Sequence, residues 1–145
     1  PQYMENGPEG MVDNIFGTTN YRIGGWQGWQ EDMVATVELD KVQIVRTVGV
    51  DCLENMRSWV FFPKSVKVEY SLDGQEWQPY GEGENTQFAA VHARQEESVQ
   101  HTFAVSGSAK AKYLKVTVKN YGLLPQWHVS AGQQAWVFVD EIIVR

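Results

Sequence analysis

Hydrophobic and polar residues alternate with a period of two over several short stretches of this chain. Met33–Leu39 sets Ala35, Val37 and Leu39 against Thr36 and Glu38. Val66, Val68 and Tyr70 alternate with Lys67 and Glu69, and Leu114, Val116 and Val118 with Lys115, Thr117 and Lys119. A period of two sends successive side chains to opposite faces, so each stretch predicts a strand with one core face and one wet face. Gln43–Leu53 and Val137–Val144 are longer apolar runs, and His101–Val105 is a further strand. Asp73-Gly74 is a hairpin-type turn ahead of Trp77. Glu82–Glu97 is acidic and poorly patterned, which predicts a loop with one short strand near Phe88–Val91. The Gly- and Asn-rich segment through Trp29 predicts long structured loops. No stretch keeps a helical period over three turns. Roughly eight strands result, the pattern of an all-β antiparallel sandwich of two packed sheets.

Composition narrows the picture. A chain of 145 residues is one domain, spanning 1–145, large enough for a proper core. The net charge of -6 argues against nucleic acid or an anionic membrane as the main partner. No segment is apolar for long enough to span a bilayer. The lone Cys52 sits in an apolar run and reads as a buried thiol. The chain opens Pro1-Gln2-Tyr3 with no initiator Met or signal peptide, which we read as a domain cut from a longer protein, its targeting signal lost with the parent. Six Trp is high for this length.

Two features suggest chemistry. Asp140–Glu141 interrupts the closing apolar run, and a buried charge needs a metal ion, a basic partner or a bend that exposes it. Neighbours on a regular strand point to opposite faces, so these two carboxylates are not expected to converge on one bond. The aromatics are the second feature. Trp77 and Trp136 adjoin strands and read as core. Trp26 and Trp29 either plug one end of the sandwich or face a ligand. Trp127 and His128 follow Pro125 in a polar loop and read as the best exposed pair.

Several strings resemble a known family. They are Val12-Asp13-Asn14-Ile15-Phe16-Gly17-Thr18, Tyr70-Ser71-Leu72-Asp73-Gly74-Gln75-Glu76-Trp77, Ala111-Lys112-Tyr113-Leu114-Lys115-Val116 and the closing Asp140-Glu141-Ile142. Together they resemble the discoidin-like, or coagulation factor 5/8 type C, domain, whose bacterial members include family 32 carbohydrate-binding modules. Asn20–Trp29, Met56–Pro63 and Leu124–His128 resemble more narrowly the version at the C-terminus of Bacteroides-type β-hexosaminidases (chitobiases). The resemblance implies a jelly-roll, galactose-binding-like β-sandwich and a secreted, periplasmic or outer-surface bacterial setting. It implies a non-catalytic carbohydrate-binding domain that keeps a parent glycosidase near its glycan, such as one containing N-acetylhexosamine. The alternative is a structural domain that packs on the catalytic domain and binds no sugar. The implied sugar contacts are Tyr21, Arg22, Trp26, Glu54, Arg57, Trp59, Trp127 and His128. These are the flat apolar faces and planar polar groups that a sugar's C–H surface and hydroxyls require. The implied cofactor is one structural calcium, held by Asp13, the Ile15 backbone, Thr18 and Glu141. Calcium takes six to eight oxygen ligands, and Ile15 stands where relatives carry a side-chain oxygen. Neither a Ser/His/Asp nor a Cys/His pattern is present, so no enzymatic activity is expected of the domain.

Overall fold

The computed structural model describes residues 12–15, 18–84 and 98–145, with the side chains of 12–20, 22–27, 98 and 99 outside that description. Among these residues seven strands are formed: β1 (Val12–Ile15), β2 (Thr18–Trp29), β3 (Met33–Asn55), β4 (Ser65–Ser71), β5 (Gln78–Glu84), β6 (Ser98–Lys119) and β7 (Val137–Val144). A 3-10 turn over Met56–Ser58 follows β3. Every ladder is antiparallel, in the order β1-β2-β7-β3-β6-β4-β5.

The stretches 33–39 and 43–53, which read as two strands in the sequence, are one. β3 runs for 23 residues and β6 for 22, against an ordinary strand of about five or six. They pair from Met33 opposite Val118 to Asn55 opposite Ser98, with register slips between Glu38 and Gln43 and between Val45 and Thr47. An extra residue in one strand bends it and increases its twist. On one side of this corner β6 passes the ladder to β4 and β5; on the other, β3 passes it to β7 and β2. The sheet thereby folds over on itself as an antiparallel β-sandwich of jelly-roll type. Val37, Leu39, Val50, Cys52, Leu114, Val116, Val139 and Ile142 meet between the layers with no exposed surface. Cys52 is the expected buried free thiol, and burial raises its pKa strongly.

Four further sequence expectations change. The residues before Trp29 form the β1–β2 hairpin over 12–15 and 18–29, where loops were expected, because Thr18–Trp29 gains a ladder partner in β7 that local composition does not reveal. His101–Val105 and Leu114–Val118 belong to one strand. Trp77 and Trp136 are half-buried and not core: Trp77 lies under the Lys115 ammonium, 4.5 Å from the ring centroid, and Trp136 meets the edge of Phe138. The fourth change concerns the acidic pair. Asp51 stands opposite Glu141 while Cys52 stands opposite Val139, so Asp140 is an extra, bulged residue. The buried positions shift phase accordingly, from Val137 and Val139 to Ile142 and Val144. Both acidic side chains therefore converge, with oxygens of Asp51, Asp140 and Glu141 within 4.8 Å of one another. The expected strand at Phe88–Val91 involves residues outside the described ones.

Candidate ligand-binding site

The long strands β3 and β6 begin and end at one end of the sandwich. Asn120, just after β6, accounts for this gathering. Its backbone N–H donates to Asp32 Oδ1 at 2.8 Å. Its side-chain Nδ2 donates to the carbonyls of Trp29 (3.2 Å) and Ala135 (2.9 Å). Its Oδ1 accepts from Gly122 N (2.8 Å) and Gln134 Nε2 (2.9 Å). A buried amide with all these bonds made fixes the backbone around it. Here it fixes both stems of the loop that runs from 120 to 136.

That loop faces the turn after β3. Asn55 and Val60 exchange both backbone hydrogen bonds, closing a tight reversal around Met56–Ser58. Trp59 ends the 3-10 turn at φ 67°, a left-handed conformation uncommon for a bulky residue and of the kind that collects at functional sites. Its N–H donates to Met56 O at 3.0 Å, and its carbonyl accepts from Trp136 N at 2.8 Å. Beneath lies a second, smaller core of Met56, Phe61, Leu124 and Ala135, with Trp59, Tyr121 and Trp127 packed partly buried against it. Phe61 is the floor: Tyr121 sits 4.8 Å, Trp127 6.2 Å and His128 5.9 Å from its ring centroid. Arg57 is exposed at the rim, as are Leu123 and Val129. Three half-buried aromatics and a guanidinium, drawn from separate segments, thus share one end of the sandwich.

The sequence-derived contacts divide on this geometry. Arg57, Trp59 and Trp127 come together. His128 does not have the exposure expected of it: it is 7% exposed, its Nε2 bonds Met56 O at 2.7 Å, and its Nδ1 accepts the Ser130 N–H at 2.9 Å. Both ring nitrogens are thus engaged inside the protein. Glu54, 1% exposed as the last inward residue of β3, offers a ligand no surface. Tyr21 is 5% exposed and belongs to the main core, where burial raises its phenol pKa and Asp40 adds to the effect. It stands opposite Ile142, five positions along β7 from Val137, roughly 16 Å from the aromatic end at ~3.3 Å per residue. The Arg22 backbone lies beside it, opposite Glu141, and that of Trp26 lies in β2; both side chains are outside the described residues. Tyr121 was missed, because Asn-Tyr-Gly reads as a plain turn; its place after a strong strand and before Gly122 was the available signal.

The metal ligands suggested by sequence fall elsewhere. Asp13 and Ile15 lie in β1 and Thr18 starts β2, with Asp13 opposite Asn20 and Asn20 opposite Ile143. β1 is therefore two strand spacings from β7, roughly 9–10 Å. The side chains of Asp13, Ile15 and Thr18 are outside the described residues. Glu141 meets Asp51 and Asp140 at the bulge. Burial raises the Asp51 carboxyl pKa and the Asp140 charge adds to it, while hydrogen bonds donated by Thr102 (3.3 Å) and Gln100 (3.4 Å) pull it down. Among described residues no helix is long and apolar enough to cross a membrane.

Comparison with curated proteins returns no match. Among solved structures the chain is similar to CBM32-3 from a family 31 glycoside hydrolase of Clostridium perfringens, at 19% identity and a TM-score of 0.47, over 98% of this chain and 81% of that one. It is similar to the C-terminal domain of a chitobiase from Bacteroides fragilis, at 19% identity and a TM-score of 0.43, over 83% and 71%. It is also similar to a pectin binding carbohydrate binding module, at 15% identity and a TM-score of 0.46, over 84% and 74%. The F5/8 type C domain model matches residues 2–141, nearly the whole length, and the chain belongs to that family.

Proposed function

We propose that this is a non-catalytic carbohydrate-binding domain whose contact face is the aromatic end formed by Arg57, Trp59, Tyr121 and Trp127. The observation that carries the reading is the arrangement of three half-buried aromatics over the smaller core, with the exposed Arg57 beside them. A partly exposed indole offers a flat face to sugar C–H groups, and a guanidinium offers hydroxyls several donors in a fixed fork. An N-acetylhexosamine has about fifteen heavy atoms; at roughly 0.3 kcal/mol per atom this gives 4–5 kcal/mol, a Kd near millimolar. Such weak contact suits a domain tethered to a glycosidase, where linkage raises the effective concentration of the second contact. It also suits a place at or outside a bacterial surface.

A structural calcium belongs to the same proposal. Its support is that the β1–β2 hairpin pairs onto β7, and that Glu141 lies among three carboxylates whose mutual repulsion a divalent cation would relieve.

A second reading has its own observation. Trp59 and Trp127 are packed against the smaller core and so serve a core as well as a surface, which suits a structural domain that binds no sugar. A glycan array followed by titration of Trp127→Ala separates the two. On the first reading Trp127→Ala loses detectable binding and roughly 1–2 kcal/mol of stability, well short of the ~3–5 kcal/mol for a fully buried aromatic. A domain that binds no glycan, and that Trp127→Ala unfolds, is structural.

A further inference from the structure

We infer that His128 is a positioning residue: its neutral Nε2–H tautomer fastens the Trp127 loop to the turn bearing Arg57 and Trp59, so the aromatic face is complete only while the imidazole is uncharged. As a statement about ligand affinity this rests on the carbohydrate-binding reading above; as a statement about the loop it stands alone.

The tautomer follows from the partners. Ser130 N–H points at Nδ1 from 2.9 Å, so Nδ1 must offer a lone pair. In a neutral ring the proton then lies on Nε2, which donates it to Met56 O at 2.7 Å. That carbonyl also accepts the Trp59 N–H at 3.0 Å. One acceptor therefore joins the backbone of Trp59 to the ring next to Trp127. On its own side the loop is closed by His128 N–H to Pro125 O (3.0 Å), Ala131 N–H to His128 O (3.0 Å) and Gly132 N–H to Leu124 O (3.1 Å). The ring bond ties this closed unit to the turn.

A second proton would have to sit on Nδ1, facing the Ser130 N–H. That bond would be lost, and a charge would enter a ring that is 7% exposed between Phe61 and Trp127. On the elements packed around it the titratable groups are Glu54 at the end of β3, Arg57 in the turn and Tyr121 in the loop. The direction, open in acid, comes from the Ser130 N–H that faces Nδ1.

Ring-nitrogen NMR on the whole chain tests the latch without any ligand. At neutral pH the expected spectrum shows protonated Nε2 and bare Nδ1, and on acidification the Ser130 amide shifts with the same midpoint as the ring. A proton on Nδ1 at neutral pH, or a Ser130 amide that ignores the ring's titration, overturns the proposal. With a glycan found by array, wild-type affinity should fall about ten-fold or more on acidification. His128→Gln, whose amide can still donate to Met56 O, should bind at neutral pH and lose that acid sensitivity. An equally acid-sensitive His128→Gln overturns the link to affinity. Finding no glycan ligand at all would sink the carbohydrate reading, while the ring and Ser130 signals would still decide the latch.

Discussion

Among the described residues the molecule has two cores, and they are held by different means. The main core is aliphatic and lies between strands whose backbones are fixed by ladders, so Val37, Val50, Leu114 and Val116 fill space without having to position anything. The smaller core of Met56, Phe61, Leu124 and Ala135 lies beneath a turn and a long loop. There side chains, above all Asn120 and His128, hold the backbone together with its own turn hydrogen bonds. A ladder tolerates changes of side chain; a loop pinned by one amide does not. The region proposed to bind is thus the one whose shape depends on individual polar residues.

The sharpest test of that contrast keeps volume constant. Asn120→Asp replaces a group that donates to two carbonyls with one that repels them, and should cost about 3 kcal/mol or more in denaturant unfolding. Leu114→Met, in the ladder-held core, should cost less than about 1.5 kcal/mol. Equal costs would break the distinction. Next in size is the proposed calcium. If it ties the hairpin to β7, chelation should lower Tm and calcium restore it, a stabilisation of about 2.7 kcal/mol at a hundredfold excess over Kd, and Asp13→Ala should abolish the response. A Tm indifferent to chelator would leave the ladder-held half self-sufficient. The smallest effect belongs to Asp51. Its carboxyl pKa is raised in the folded state, by burial and then by Asp140, so the folded protein holds that proton more tightly than the unfolded chain. Its contribution to stability is therefore full at low pH and lost as pH rises through the raised value. Without bound metal, Asp51→Asn should raise Tm slightly at neutral pH, and the gain should vanish below about pH 4. A gain that grows in acid would contradict the sign.

Strand faces were legible because the period of two is local. Ala35, Val37, Leu39, Leu114, Val116 and Val118 all lie inward as their alternation requires. The corner was not legible, because Asp40-Lys41-Val42 reads as a break and only pairing with β6 keeps the strand continuous. The bulge at Asp140 left a faint trace: buried Val139 and Ile142 are three apart, which a regular strand cannot place on one face. Arg57, Trp59 and Trp127 could be named because residue type alone suggests them. The burial of His128 could not, since it depends on the Met56 carbonyl 72 positions away in the chain.

β3 leaves the aromatic end at Met33, turns at the far corner and returns at Asn55; β6 does the same between Ser98 and Lys119. Their four termini therefore open onto the same end, and the ladder between them slips at the corner and resumes beyond it. Residues can be added, removed or exchanged in the segments joining those termini with little disturbance to the register of either long strand. The arch can thus keep its register while the side chains that Asn120 and His128 do not engage change at its open end.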